Sequence, residues 1–326
     1  MPPRRRHLLA AALAGTALPR PAPAQTGRVV RIGWLTAQRE ASLTPYLATL
    51  RAGLAEAGYA EGRNLQMLYR YGDDDTSRVP ALAQELLRQQ VPVIIAQGTA
   101  VNILAGLHLP VPVVYVVSGD PVAAGLAESL SRPRGNMTGM TFISAELNGK
   151  RLELLRDIVP GLQRVAVIAN PEHPGQDDER AYTLETGRRM GLEIAHYATR
   201  SPAELEAAFE SLAARPPQAM TVFADGFAIQ NRERLARFAI AQRLPLVSGW
   251  AVFAESGALC TYGPRLQESY RRLAYYVDRI LRGARPADLP IERPTVFELV
   301  VNLRTAAAIG LAVPPTLLAQ ADALIE

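Results

Sequence analysis

The sequence predicts an α/β protein with two doubly wound parallel-sheet lobes, and three observations lead to this prediction. Short apolar runs alternate with segments of helical periodicity along almost the whole chain. Most runs are nearly continuous in apolar residues, which is typical of strands that helices cover on both faces of a parallel sheet. The alternation restarts near the middle, and the length exceeds the usual size of one hydrophobic core, so two lobes are expected.

The first half of the chain contains four predicted strands, each followed by a predicted helix. Apolar runs predict strands at 29–35, 91–96 and 112–117, and the alternation of apolar and polar residues predicts a strand at 64–71. Apolar residues three or four positions apart predict helices at 43–58, 77–90, 99–107 and 121–131. The first helix ends at Gly58, because glycine readily adopts the left-handed conformation found at helix C-termini. Residues 136–143 follow this set and are expected to form the first crossover between lobes.

The second half repeats the alternation of strands and helices up to Gly257, after which the order of elements is less regular. It predicts helices at 145–159, 177–190, 202–214 and 227–243, and strands at 164–169, 192–198, 219–224 and 246–248. After Gly257 come a short strand at 258–262, a long helix at 266–282 and a proline-rich connector at 283–294. A strand at 296–301 and helices at 303–309 and 314–325 complete the chain.

The first 24 residues have the layout of a secretory signal peptide. Three arginines at 4–6 precede a short apolar run at 8–18, and small residues at 22 and 24 permit cleavage before Gln25. The run is too short to span a bilayer as a helix. Arg5-Arg6 ahead of Leu8-Leu9 also fits a twin-arginine signal, and an arginine-rich disordered start is the alternative. No cysteine follows the run, so we expect an exported, periplasmic protein without a lipid anchor.

Composition argues against several classes of function. The 35 lysines and arginines include four in the predicted signal peptide, and the rest balance the 31 acidic residues. A neutral mature chain lacks the excess positive charge that binds the phosphates of nucleic acid, so no nucleic-acid partner is expected. Cys260 is the only cysteine, which excludes an intrachain disulfide and predicts a buried, inert thiol. The four histidines lie far apart without metal-ligand spacing, so no metal site is predicted.

Known enzyme motifs are missing from the sequence. There is no Gly-x-Gly-x-x-Gly, no Walker loop and no Gly-x-Ser-x-Gly elbow. We therefore predict neither catalytic residues nor a cofactor, and the chain is not expected to be an enzyme.

Small polar residues follow the predicted strands, and open parallel sheets bind ligands at the carboxyl ends of their strands. The candidate ligand-binding residues are Thr36, Gly98, Thr99, Ser118, Asp120, Asn170, Asp225 and Trp250. Each has a structural alternative: Asp120 and Thr99 suit helix caps, Asn170 and Asp225 suit turns, and Trp250 suits a core. Helix N-termini after Gly98 and Gly119 favour a ligand carboxylate, and Asp225 suits a ligand ammonium. The predicted ligand is a small amino-acid-like or aromatic carboxylate.

Several long motifs resemble one family of transport proteins. They include RIGWL at 31–35, GDPVAAGLAESLSRPRGNMTGMTF at 119–142, GKRLELLRDIVPGLQRVAVIANP at 149–171 and VPPTLLAQAD at 313–322. With these motifs the chain resembles ABC-transporter substrate-binding proteins of the tryptophan/tyrosine-binding-like group, which have the type I periplasmic binding fold. The resemblance covers nearly all of the mature chain, in the same order.

The resemblance implies two lobes joined by three crossovers, with a ligand clamped between them. We expect the second crossover near 249–256 and the third within 283–294. The N-terminal lobe then comprises 28–143 plus 251–285, and the C-terminal lobe 144–250 plus 286–326. The implied partners are a small-molecule ligand and an ABC permease and ATPase complex at the membrane, with the binding protein a monomer. The alternative is a periplasmic ligand sensor that feeds a membrane signalling partner.

Overall fold

The computed structural model describes residues 29–40, 44–142, 145–173, 175–223 and 225–326. The expected signal peptide at 1–24 and position 143 of the expected first crossover lie outside these residues. The described chain forms two α/β lobes, each built on one large sheet, so the two-lobe architecture is confirmed.

The elements alternate along the chain as the sequence predicts. The strands are β1 (Val30–Thr36), β2 (Leu65–Tyr71), β3 (Ile94–Gln97), β4 (Val113–Ser118), β5 (Ala127–Ser129), β6 (Arg132–Pro133), β7 (Met137–Phe142), β8 (Arg164–Ala169), β9 (Glu193–Ala198), β10 (Ala219–Val222), β11 (Leu246–Ser248), β12 (Cys260–Pro264), β13 (Phe297–Asn302) and β14 (Ala323–Ile325). The helices are α1 (Thr44–Glu56), α2 (Val79–Arg88), α3 (Ala100–Leu107), α4 (Ala145–Ile158), α5 (Gln176–Arg189), α6 (Pro202–Ala214), α7 (Gly226–Gln230), α8 (Arg232–Ala241), α9 (Ala251–Glu255), α10 (Leu266–Leu281), α11 (Leu303–Ile309) and α12 (Pro315–Gln320).

The first lobe contains a five-stranded parallel sheet in the order β2-β1-β3-β4-β7. Helices α1 and α10 pack against each other on this lobe, although they are far apart in sequence. Trp34 of β1 is fully buried, and its ring lies 6.2 Å from that of Tyr270 in α10. Gly53 permits the close approach, because a Cβ there would lie 3.0 Å from the Ala274 Cβ. The long apolar face of α10 therefore holds the late chain segment on the first sheet.

The second lobe contains a seven-stranded sheet in the order β14-β13-β12-β11-β10-β8-β9. Strands β8 to β12 are parallel to one another, whereas β13 and β14 are parallel to each other and run antiparallel to the rest. Cys260 of β12 is fully buried, and burial raises the pKa of its thiol to about 12. This surrounding fits the inert thiol that the sequence predicts.

The sheet pairing places the crossovers later than we expected from the sequence. Strand β12 pairs in parallel with β11, so α9 and β12 belong to the second sheet and not to the first lobe. The second crossover follows Pro264 and does not lie at 249–256. Segment 286–292 still contacts the first lobe, because the Glu292 N–H donates to the Gly139 carbonyl at 3.0 Å. The third crossover therefore lies between Glu292 and Phe297.

Three local predictions were also wrong. Residues 137–142 form the edge strand β7, which pairs with β4, where we expected only a crossover. Residues 121–131 form turns and the start of the β5–β6 hairpin instead of a helix, because Leu126 and Ala127 both donate to the Pro121 carbonyl. The helix predicted at 314–325 ends at Gln320, and β14 then pairs with β13.

Candidate ligand-binding site

A cavity of about 100 Å³ lies between the two lobes, where the carboxyl ends of their strands face each other. Its first-lobe residues follow β1, β2, β3 and β4, and its second-lobe residues follow β8, β9, β10 and β11. The cavity is lined by Ala37, Gln38, Asp74, Thr76, Gln97, Gly98, Thr99, Ser118, Asn170, Glu172, His173, Arg200, Asp225, Gly226, Phe227 and Trp250. We call this space the cleft cavity.

Six predicted site residues line the cleft cavity together: Gly98, Thr99, Ser118, Asn170, Asp225 and Trp250. Gly98 has φ +66°, a left-handed conformation that favours glycine and turns the chain from β3 into α3. Thr99 precedes α3, but its side chain makes no capping hydrogen bond, so the helix-cap alternative does not hold for it.

The structure places Thr36 and Asp120 outside the cleft cavity. Thr36 is fully buried, and its hydroxyl donates to the Gln97 Oε1 at 3.0 Å. It therefore orients the side chain of Gln97, which does line the cavity. Asp120 accepts a hydrogen bond from the Val122 N–H at 2.8 Å within a turn. The helix predicted after Gly119 is missing, so no helix N-terminus supports a carboxylate there.

Asp225 is the main buried carboxylate of the cleft cavity. Its Oδ1 accepts from the Ala228 N–H at 2.7 Å, and its Oδ2 accepts from the Asn170 side chain at 2.8 Å. Burial raises the pKa of Asp225, while His173, the Ala228 N–H and Asn170 act in the opposite direction. The residue is both the cap of α7 and a cavity residue, so the structural and binding interpretations are compatible. A cation next to Asp225 would stabilise its ionised form.

A line of buried ionisable side chains continues from Asp225 into the second lobe. His173 and Glu179 are both about 5% exposed, with Nε2 and Oε2 3.8 Å apart. Burial lowers the pKa of Arg151 to about 10, against the attraction of Glu179. Arg151 also donates from Nε to the Tyr262 carbonyl at 2.9 Å. The charged groups beneath the cavity are thus held by the second lobe.

Sequence reasoning missed several cavity residues, including Gln38, Glu172, His173 and Arg200. The Gln38 Oε1 is buried and has no hydrogen-bond partner among the described residues. Gln38 and Arg200 follow the ends of β1 and β9, so a broader search after each strand would have found them. His173 lies three residues beyond Asn170, within the turn that the sequence did predict.

The lobes meet around the cavity in a closed arrangement. A Cβ on Gly175 of the second lobe would lie 2.6 Å from the Gly119 Cα of the first. A Cβ on Gly226 would lie 1.9 Å from the Gln38 Nε2. The Gln230 side chain donates to the Asp74 carboxylate across the cleft. The contact at Gly175 requires glycine, because a Cβ there would meet the backbone of Gly119, which cannot rotate away as a side chain could.

Two searches of the described residues gave negative results. No cluster of three or more histidine, cysteine, aspartate or glutamate side chains in that part of the chain is arranged to hold a metal ion. Nor does any helix there combine the length and apolarity needed to cross a membrane.

Several known proteins are similar to this chain in sequence or in fold. A tyrosine-binding protein of Clostridioides difficile (strain R20291) is 21% identical over 260 residues, which cover 79% of this chain and 74% of the relative. A conserved domain protein of Vibrio cholerae has a TM-score of 0.85 at 21% identity, covering 91% of this chain and all of the other. An ABC domain of Streptococcus pneumonia in complex with L-Trp has a TM-score of 0.81 at 21% identity, with the same coverage.

These similarities confirm the type I periplasmic binding fold that the resemblance implied. The sequence model of one family also matches residues 40–325, which is most of the chain. The match extends over both lobes and over all the strands that border the cleft cavity beyond β1. The chain therefore belongs to the ABC transporter substrate binding protein family.

Proposed function

We propose that the chain is the extracytoplasmic solute-binding protein of an ABC importer and binds a small amino-acid-like or aromatic carboxylate in the cleft cavity. The buried Asp225 carboxylate carries the proposal. It is 6% exposed, faces the cavity, and has a pKa raised by burial. A ligand ammonium would supply the missing positive charge through a charge-assisted hydrogen bond.

The first lobe offers groups suited to the other end of an amino acid. Thr99 and Ser118 bring hydroxyl groups to the cavity, and α3 begins directly after Thr99. A helix N-terminus favours a carboxylate by about 0.3–1 kcal/mol. Phe227 and Trp250 add aromatic surface for an apolar or aromatic side chain.

The relatives support the same ligand class. One is a tyrosine-binding protein and another was solved in complex with L-Trp. In the proposed cycle the ligand stabilises the closed lobes, and a membrane permease accepts the closed protein. The predicted export signal at 1–24 is part of this proposal, and N-terminal sequencing of secreted protein, with Gln25 expected first, tests it.

Calorimetry with matched ligands tests the binding proposal. We expect L-tryptophan or L-tyrosine to bind, and the analogues that lack the amino group or the carboxylate to bind about tenfold or more weakly. Affinity should also fall at acidic pH, because protonated Asp225 cannot pair with an ammonium. Binding of neutral sugars alone would refute the ligand class and leave the fold assignment intact.

A further inference from the structure

A second cavity adjoins the cleft cavity and is lined by arginines from both lobes. It measures about 520 Å³, and its lining includes Arg39, Asp74, Arg200, Phe227, Gln230 and Arg232. We call it the arginine cavity. Asp74, Arg200 and Phe227 line both cavities, so the two spaces lie next to each other.

The charges around the arginine cavity leave capacity for an anion. Arg39 pairs with Asp74 at 2.8 Å, and Arg200 pairs with Glu204 at 2.9 Å. Arg232 donates instead to two neutral oxygens, the Ser256 hydroxyl at 3.0 Å and the Ile229 carbonyl at 2.9 Å. These contacts orient its guanidinium and leave its charge available. A planar guanidinium held in this way suits a carboxylate.

Helix α7 connects the two cavities. Asp225 caps its start in the cleft cavity, and Gln230 at its end lines the arginine cavity. Five helical residues span about 7.5 Å, and an aromatic amino acid extends over a comparable distance from its ammonium to its para position. Phe227, which lines both cavities, provides apolar surface between these two points.

We infer that the arginine cavity binds an anionic group at the distal end of the ligand, so that the preferred ligand is an amino acid with an acidic side-chain terminus. This inference rests on the proposed function, because Asp225 must hold the ammonium. Arg39 belongs to the first lobe and Arg232 to the second, so such an anion would also favour lobe closure.

The test compares 4-carboxy-L-phenylalanine with the isosteric 4-carbamoyl-L-phenylalanine and with L-phenylalanine by calorimetry. We expect the carboxylate to bind about tenfold more tightly than the amide, since hydrogen bonds to charged groups are the stronger class. The preference should shrink as salt is added, because the arginines are partly exposed. In the double variant Arg39→Gln/Arg232→Gln this preference should fall towards one. The ratio of the carboxylate affinity to the amide affinity is the readout, because a general effect of the substitutions on lobe closure lowers both affinities alike.

The single variant Arg39→Gln provides a milder test, because the Arg39 side chain is 63% exposed and its loss should not disturb folding. Arg237→Gln is the matched control, since it removes an exposed arginine of α8 that pairs with Glu233. Added benzoate should not strengthen the binding of L-phenylalanine, which distinguishes a distal group of one ligand from a separate anion.

The inference would be wrong, and the proposed function would still stand, if the carboxylate and the amide bound with equal affinity. The same holds if the preference for the carboxylate were undiminished in the double variant. A rise in L-phenylalanine affinity with benzoate would also overturn it. If none of the three amino acids binds but L-tryptophan or L-tyrosine does, the inference alone fails. If none of the five binds, the proposed function fails and the inference fails with it.

Discussion

The two lobes contribute different chemistry to the cleft. The buried polar side chains of the first lobe, as far as the chain is described, are neutral: Thr36, Gln97, Ser118, Thr138, Thr141 and Ser269. Every buried charged residue or histidine of the described chain belongs to the second lobe: Arg151, His173, Glu179 and Asp225. Among buried side chains, the first lobe thus brings the neutral groups of Gln97 and Ser118 to the cleft cavity, and the second lobe brings the ionisable groups of His173 and Asp225.

This difference has a cost in stability. A neutral hydrogen bond contributes about 0.5–1.5 kcal/mol, and leaving one buried partner unsatisfied costs about 1–3 kcal/mol. Buried charges are expensive to desolvate, and removing one partner leaves the other uncompensated. We therefore expect the second lobe to be more sensitive to substitution than the first, and binding to depend most on its charged groups.

The largest expected effect on stability is that of Arg151→Met. The substitution removes the donor to Tyr262 and the positive charge that faces Glu179. Breaking a buried charge arrangement typically costs about 3–5 kcal/mol, and urea unfolding should show a loss of that order. The control Lys150→Met changes the neighbouring residue of α4, which is exposed and pairs with Glu153. If Arg151→Met lowers the free energy of unfolding by less than about 1 kcal/mol, the second lobe is not more sensitive to substitution than the first, contrary to our expectation.

The next effect is a loss of binding in Asp225→Ala. Losing a hydrogen bond to a charged partner costs about 1.5–3 kcal/mol, or about ten- to hundredfold in affinity. Loss of the cap of α7 should lower stability without ligand by only about 1 kcal/mol. Calorimetry and melting of the ligand-free variant separate these two losses.

The control for this variant is Asn302→Ala, which removes a side-chain cap from α11 in the same lobe, away from the cleft cavity. It should lower the melting temperature and leave affinity unchanged. If Asp225→Ala behaves in the same way, Asp225 is only structural and the ammonium-binding part of the proposal falls.

The third effect concerns closure of the lobes, to which both contribute. In Gly175→Ala the new methyl group meets the Gly119 Cα across the cleft. Overpacking costs about 1–3 kcal/mol, and here it acts on the closed form, so ligand affinity should fall. Small-angle scattering should show less compaction on ligand addition.

Gly191→Ala separates this effect from backbone strain. Gly191 has φ +71°, similar to the +85° of Gly175, but a Cβ there has no neighbour within 4 Å. The control should therefore lose stability and keep its affinity. Equal affinity losses in both variants would show that the contact between Gly175 and Gly119 does not limit closure.

The sequence predicted the central strands well because β3, β4 and β8 are rich in valine or isoleucine, as burial in a parallel sheet requires. It missed β7, whose residues Met137–Phe142 include threonine, glycine and methionine. It misplaced the second crossover, because the pairing of Val247 with Cys260 that holds β12 in the second sheet is a tertiary contact.

The candidate site shows the same limit. Residues after strand ends, such as Ser118 and Asp225, could be predicted because parallel strands end on one edge of their sheet. The absence of Thr36 from the lining of the cleft cavity could not be predicted, because the Thr36 side chain is turned to a hydrogen bond with Gln97, 61 residues away. The arginine cavity was missed because Arg39 and Arg232 meet only when both lobes are assembled.

The smallest predicted effect is a pH dependence of stability from the second lobe. Burial, with a contribution from Arg180, lowers the pKa of His196 to about 4. The unfolded chain protonates this histidine near its ordinary pKa of about 6.5. Between these values the unfolded state binds more protons than the folded state, so stability should fall as pH falls from about 6.5 towards 4.

Urea unfolding of the ligand-free protein at several pH values measures this dependence. His196→Phe keeps a ring next to Phe223, which lies 5.6 Å from the His196 ring, and removes the titrating group. His196→Gln removes the titrating group and keeps a polar side chain. Both variants should lose stability less steeply than the native protein between pH 6.5 and 4. Because His196 is partly exposed, solvent screening keeps the difference below that of the fully buried Arg151. Slopes equal to that of the native protein in both variants would show that the acid sensitivity of the second lobe comes from its carboxylates instead.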